Sequence, residues 1–208
     1  MIQPKIINGT FHYPIMEHFY SLQGEGAYAG QAAYFIRIAG CDVGCSWCDV
    51  KESWNVAEDQ YLDLDFLVNE VNRSKASLVV ITGGEPAMYD LEALTSSLKK
   101  DKRRIHIETS GAYTISGEFD WVCVSPKRFK KPLDSSLKMA DELKMIVVNR
   151  QDLLWATELS QKCSTTCQLL LQPEWDRSEK VFPIITDFIK DDQKWKLSLQ
   201  LHKYLNIR

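Results

Sequence analysis

The chain has no unbroken apolar run near the roughly 18 residues that a membrane-spanning helix requires. It also lacks the basic start and apolar stretch of a secretory leader, since it opens Met1-Ile2-Gln3-Pro4-Lys5. A cytoplasmic protein with no membrane partner is therefore expected. Positive charge is not in excess: 25 Lys and Arg against 28 Asp and Glu leave a net charge of -3. A nucleic-acid surface normally shows as a strongly basic domain, so no nucleic-acid partner is expected. The one basic run, Lys127-Arg128-Phe129-Lys130-Lys131, reads as a solvated face or an anion site. Only 10 glycines and 7 prolines are spread over the 208 residues. No Pro/Gly/Ser-rich linker, repeat or low-complexity segment divides the chain, and a single domain over residues 1–208 is expected.

Cysteine is where the sequence departs from the ordinary. Six cysteines in a cytoplasmic chain point to reduced thiols and metal chemistry rather than to a disulfide framework. Three of them, Cys41, Cys45 and Cys48, fall within Gly40-Cys41-Asp42-Val43-Gly44-Cys45-Ser46-Trp47-Cys48-Asp49. The C-x3-C-x2-C spacing offers three soft thiolates to one centre and leaves a fourth position without a local ligand. Two alternatives stand beside an iron-sulfur cluster with one open iron. The three positions also share a helix face as core cysteines would, although Gly40, Gly44 and Asp42 disfavour a helix, glycine being about 1 kcal/mol worse than alanine in a helix interior. A structural zinc is the other, although it usually draws on paired C-x2-C or Cys/His units, and here there is one pair and no nearby His. Cys123 lies in a buried-looking strand, and Cys163 with Cys167 forms a C-x3-C pair that leaves an auxiliary metal site open.

Apolar, β-branched runs recur at 34–38, 78–81, 104–107, 121–124, 143–148 and 168–171, with amphipathic helical spacing over 64–75, 91–100, 151–161 and 178–190. Continuous apolar strands alternating with helices predict an α/β fold with a parallel sheet covered by helices. Eight full βα units take about 250 residues, so a partial, open, TIM-like βα barrel of about six parallel strands fits this length better. Such folds gather functional residues at the carboxyl ends of their strands. The cysteine loop, Thr82-Gly83-Gly84-Glu85-Pro86, Glu108-Thr109-Ser110-Gly111, Ser125-Pro126-Lys127 and Gln172-Pro173-Glu174-Trp175 all follow strands and should face one mouth. Gly83 and Gly84 let backbone approach a ligand closely, and Glu85 offers a carboxylate to an ammonium group.

The cysteine loop together with the Gly-Gly-Glu-Pro segment resembles the radical S-adenosylmethionine (SAM) enzymes, whose loop binds a [4Fe-4S] cluster and whose GGEP-type segment holds the cofactor's methionine amino group. The run Phe19-Tyr20-Ser21-Leu22-Gln23-Gly24-Glu25-Gly26, then Gly30, Phe35-Ile36-Arg37 and Gly40-Cys41, narrows the resemblance to the 7-carboxy-7-deazaguanine synthases of queuosine and related biosynthesis. Supporting matches run through Trp47-Cys48-Asp49 to the closing stretch Gln200-Leu201-His202-Lys203-Tyr204-Leu205. The resemblance implies ring contraction of 6-carboxy-5,6,7,8-tetrahydropterin to 7-carboxy-7-deazaguanine with loss of ammonia, a carbon-nitrogen lyase reaction. It implies pterin contacts at Leu22, Gln23, Gly24, Arg37 and Thr82. It implies SAM contacts at Trp47, Cys48, Asp49, Gly84, Ser125, Pro126, Lys127, Gln172, Pro173, Glu174 and Trp175, and cluster ligands at Cys41, Cys45 and Cys48. It further implies an external reductant of flavodoxin or ferredoxin type and a homodimer.

One position departs from the family. The residue after Cys48-Asp49 is usually a threonine whose hydroxyl ligates Mg2+; here it is Val50, whose side chain carries no oxygen. Mg2+ held by substrate, water and Asp49, or replacement of its charge by a cation such as Lys51, are the open alternatives, and a weakened Mg2+ dependence is expected. A glycyl-radical enzyme activase and a non-catalytic metal-binding module are the competing functions. The run Ser21 to Gly26 and Ser125-Pro126-Lys127 weigh against the activase.

Overall fold

A computed structural model describes residues 1–208. Its elements in chain order are β1 (Lys5–Ile7), β2 (Thr10–Leu22), β3 (Ala32–Ile38), β4 (Tyr61–Asp63), α1 (Leu64–Ser74), β5 (Leu78–Gly83), α2 (Glu92–Lys99), β6 (Arg104–Thr109), β7 (Trp121–Val124), α3 (Asp134–Met139), β8 (Glu142–Val147), α4 (Arg150–Ser160), β9 (Gln168–Pro173), α5 (Ser178–Asp191), β10 (Trp195–Leu197) and α6 (Leu201–Leu205). The strands form one sheet in the order β1-β2-β3-β5-β6-β7-β8-β9-β10, with β4 pairing β2. From β3 to β10 every neighbouring pair is parallel. β1, β3 and β4 run antiparallel to β2. The terminal strands do not pair with each other, so the fold is an open, partial βα barrel.

All six expected strands are present, and β10 adds a seventh parallel one. At three residues it is too short to show a period. The 13-residue β2 escapes a sequence reading for another reason: Pro14 interrupts it and a register shift between Ile15 and Glu17 breaks its alternation. The four amphipathic stretches form α1, α2, α4 and α5. Asp63 caps α1 by accepting from Phe66 N at 3.0 Å, and Asn149 caps α4 by accepting from Gln151 N at 2.8 Å. Between β6 and β7 there is no helix, and between β7 and β8 only the six-residue α3, which is how the barrel fits into so short a chain.

The two faces of the sheet bury different things. Ile36, Ile38, Val79, Ile81, Ile105 and Ile107 join Leu67, Leu94 and Leu98 of the helices in the main core. Ala33, Phe35, Leu78 and Val80 form a separate small cluster with Phe19 against it. Because strand side chains alternate, Arg37 and Thr82, two residues beyond Phe35 and Val80, project on that second face. They are direct register partners. The inner face is thus apolar along the strands and polar at their carboxyl ends. The carboxyl-terminal segment folds back over it: Leu201 N donates to Gly24 O at 2.8 Å and Ser21 Oγ to Arg208 O at 2.6 Å.

Candidate active site

The polar ends of the strands enclose a cavity of about 440 Å³. Cys41, Cys45 and Cys48 line it, as do Leu22, Gln23, Gly24, Arg37 and Thr82. So do Trp47, Asp49, Gly84, Ser125, Lys127, Gln172, Pro173, Glu174 and Trp175. Of the pterin, SAM and cluster contacts implied by the resemblance only Pro126, which is buried, does not line it; Pro86 and Gly111, expected at the same mouth, do not line it either.

The cysteine loop is an irregular excursion from β3. Cys48 N donates to Cys45 O at 3.1 Å, and Gly40 N and Cys41 N reach across to Ser53 O and Trp54 O at 2.6 and 3.2 Å. Asp42 fastens it from outside, accepting from Tyr113 Oη at 2.5 Å and Lys130 Nζ at 2.8 Å. All three cysteines are unpaired thiols. Burial raises the Cys41 pKa and pushes the Cys45 thiol up to about 11, so loading a metal must displace protons from both. No three Cys, His, Asp or Glu side chains converge on the position of a single ion, these cysteines included. A cluster several ångströms across does not require such convergence, whereas zinc does.

The double glycine does something the sequence alone did not indicate. A Cβ on Gly84 would stand 2.4 Å from Gly40 O and 3.1 Å from Cys41 Cβ, and one on Gly83 2.4 Å from Ile38 O. Gly84 N and Glu85 N donate to Ile38 O and Gly40 O at 2.8 and 2.9 Å. The glycines thus let the cysteine loop lie directly on β5. Glu85 also differs from expectation. It is 1% exposed, and its carboxylate already accepts from Thr109 Oγ1 at 2.5 Å, Ser110 N at 2.8 Å, Ala87 N at 3.0 Å and the Ser110 hydroxyl. It ties the end of β5 to the end of β6 and has no free oxygen for an ammonium ligand. The basic run is likewise not one anion site. Lys127 turns into the cavity, bonding Ser125 O and Oγ at 2.6 and 2.7 Å, while Arg128 pairs with Asp152 at 2.9 Å and Lys130 with Asp42. Burial lowers the Lys127 pKa, an effect opposed by the neighbouring Cys45. Its ammonium lies 5.5 Å from the ring of Trp47, whose edge rests on Phe129.

A connected polar network covers the other half of the cavity. Gln23 Nε2 donates to Glu108 Oε1 at 2.9 Å and Thr82 Oγ1 to Glu108 Oε2 at 3.2 Å. Lys144 Nζ meets Glu25 Oε2 at 2.5 Å, and Gln200 Nε2 meets Glu25 Oε1 at 2.9 Å. Burial disfavours both charges of the Lys144–Glu25 pair, but mutual attraction prevails: Glu25 is held below the ordinary carboxylate range, and Glu108 and Glu25 together hold Lys144 well above its ordinary value. Arg37 is held loosely, its Nε 3.5 Å from Glu17 Oε1 and buried without a hydrogen-bond partner. Gly24 admits His202, which a Cβ there would meet at 2.4 Å.

Sequence reasoning did not assign roles to Lys144, Gln200, His202 and Lys203. A lysine in the middle of an apolar strand, Glu142-Leu143-Lys144-Met145-Ile146-Val147, was a visible signal for the first. The other three depend on where the carboxyl-terminal segment folds. Cys163 and Cys167 lie between α4 and β9, their thiols donating to Leu159 O and Gln168 O at 3.6 and 3.7 Å, with no third ligand beside them. They do not form the auxiliary metal site left open above.

Residues 35–120 match the family model described as the radical SAM superfamily. The chain is similar to a 7-carboxy-7-deazaguanine synthase of Flavobacterium psychrophilum, 48% identical over 194 residues that cover 93% of this chain and 92% of that protein. It is 46% identical over 202 residues to one from Synechocystis, covering 96% and 95% of the two chains. Among solved structures, the crystal structure of QueE from Escherichia coli superposes with a TM-score of 0.83 at 33% identity, over 92% of this chain and 95% of that one. No helix of the structure is long and apolar enough to cross a membrane.

Proposed function

The chain belongs to the 7-carboxy-7-deazaguanine synthase family of radical SAM enzymes, and we propose from this that it contracts 6-carboxy-5,6,7,8-tetrahydropterin to 7-carboxy-7-deazaguanine with release of ammonia. The observation that carries the reading is that the three-cysteine loop and the Leu22-Gln23-Gly24/Arg37/Thr82 group line one cavity. The three thiols suit a [4Fe-4S] cluster: they are free, they share one short loop, and no fourth cysteine lines the cavity. Held by Cys41, Cys45, Cys48 and the wall around them, cluster and SAM would supply reversible hydrogen-atom abstraction from the substrate.

The chain's own residues bind, orient and exclude water. Lys127, Ser125, the backbone at Gly84, the Trp47 to Asp49 corner and Gln172 to Trp175 are proposed as the SAM wall. Gln23 and Thr82, both braced on Glu108, present amide and hydroxyl groups to the pterin edge. The guanidinium of Arg37, which lines the cavity, suits the substrate carboxylate. The folded-back segment from Gln200 to Arg208 lines the cavity and limits water entry. A flavodoxin- or ferredoxin-type reductant, a two-fold dimer, a cytoplasmic setting and a single domain over residues 1–208 belong to the same reading.

Anaerobic reconstitution tests it. About four irons per chain, SAM cleavage on reduction and conversion of the tetrahydropterin to the deazaguanine are expected. SAM cleavage without deazaguanine would point to an activase instead, and one bound zinc without cleavage to a binding module.

A further inference from the structure

Members of this family are expected to place Mg2+ beside Cys48-Asp49, and the donor set in this chain does not suit it. Mg2+ takes hard oxygen ligands in near-octahedral array at about 2.0–2.1 Å. At this corner oxygen donors are few: the hydroxyl is missing at position 50, Ser46 lines the cavity on the far side of Trp47, and Asp49 keeps only Oδ1 without a partner. Val50 lines the cavity with methyl groups only. Ser53, the nearest hydroxyl along the chain, is 1% exposed and donates to Val50 O at 2.7 Å. Asp49 Oδ2 accepts from Lys203 Nζ at 2.8 Å and lies 3.4 Å from Gln200 Nε2. Glu25, joined to Asp49 through the same Gln200 amide, is paired with Lys144. Glu108 is held by Gln23 and Thr82.

An ammonium group stands there instead. Lys203 Nζ sits on Asp49 and 5.1 Å from the centre of the Trp175 ring, with its side chain 21% exposed and lining the cavity. Lys51, the cation suggested by sequence, lines the cavity too but is exposed and has no ion-pair partner. Arg37 lines the same cavity and is held only at 3.5 Å by Glu17.

We propose that this enzyme takes no divalent cation at its substrate site and that the Lys203 ammonium, held by Asp49, supplies the positive charge facing the substrate carboxylate alongside Arg37. Lysine is suited to this as a compact point charge that needs no fixed coordination geometry. The proposal rests on the tetrahydropterin reading for the identity of the carboxylate; its metal half does not depend on turnover.

The metal half is tested by titrating Mn2+ into metal-stripped, cluster-loaded protein with SAM and the tetrahydropterin, and following free Mn2+ by electron paramagnetic resonance. Wild type should sequester none at concentrations where Val50→Thr takes up Mn2+. Uptake by wild type as tight as by Val50→Thr overturns the proposal. The lysine half is tested by steady-state kinetics. Lys203→Gln should raise the KM for the tetrahydropterin about ten- to a hundredfold, the loss expected for one charge-assisted hydrogen bond, with a smaller change in kcat and no rescue by Mg2+. Lys203→Arg should recover most of the loss. An unchanged KM in Lys203→Gln, or rescue of that variant by Mg2+, overturns it. If no arm yields deazaguanine, the functional reading fails while the Mn2+ result still decides the metal.

Discussion

Gly84→Ala isolates the contact on which the cysteine loop is mounted. The added methyl would sit 2.4 Å from Gly40 O, a backbone atom with no rotamer to escape into. Forcing one methyl into a packed site costs about 1–3 kcal/mol. The displacement also strains the bonds from Gly84 N to Ile38 O and Glu85 N to Gly40 O, each worth about 1 kcal/mol net. A loss of about 4 kcal/mol follows, or a fall in Tm of roughly 8–16 °C for a chain of this size. Because the atom displaced belongs to the residue before Cys41, iron retained after reconstitution should fall as well. Gly44→Ala is the control: its φ is +73° but nothing lies within 4 Å of its Cβ, so it should cost only about 1–2 kcal/mol of backbone strain. Differential scanning fluorimetry of the apo proteins and iron analysis of the reconstituted ones read both effects. A Gly84→Ala protein with wild-type Tm and full iron, or one no worse than Gly44→Ala, would refute the close-packing argument.

His106 is 3% exposed, packs on Tyr28 and Trp121, and burial lowers its pKa to about 4. The unfolded chain therefore binds the proton first as pH falls, so stability is full above about pH 6.5 and drops by about 3 kcal/mol on the way to pH 4; His106→Leu should flatten that part of a denaturation profile. Lys144→Met strands Glu25 among buried carboxylates and should cost about 3–5 kcal/mol in urea unfolding, with the double variant carrying Glu25→Gln recovering much of it. If the single and double variants unfold alike, the pair is not coupled as described. Alkylation of Cys45 in the apo protein should still be accelerating about tenfold per pH unit between pH 9 and 10, since its thiol is pushed up to about 11. A rate that levels off near pH 9 would contradict the burial of that thiol.

The local patterns in the chain were sufficient for a good deal. β-branched runs set six of the seven parallel strands, amphipathic spacing set α1, α2, α4 and α5, and the cysteine spacing with the residues from Ser21 to Gly26 marked the family. These are short-range properties, fixed by side-chain period and by the chemistry of neighbouring residues. What they left out depends on contacts between distant segments. Gly84 is required by Gly40, Glu85 is occupied by Thr109 and Ser110, and the basic run is divided among Lys127, Arg128 and Lys130 by partners from three different elements. Val50 could be read from sequence as a missing oxygen. That Asp49 beside it is already held by Lys203, 154 positions away in the chain, was decided only by the fold-back of the carboxyl-terminal segment, because an ion pair between two surface-prone side chains leaves no trace in the spacing of either.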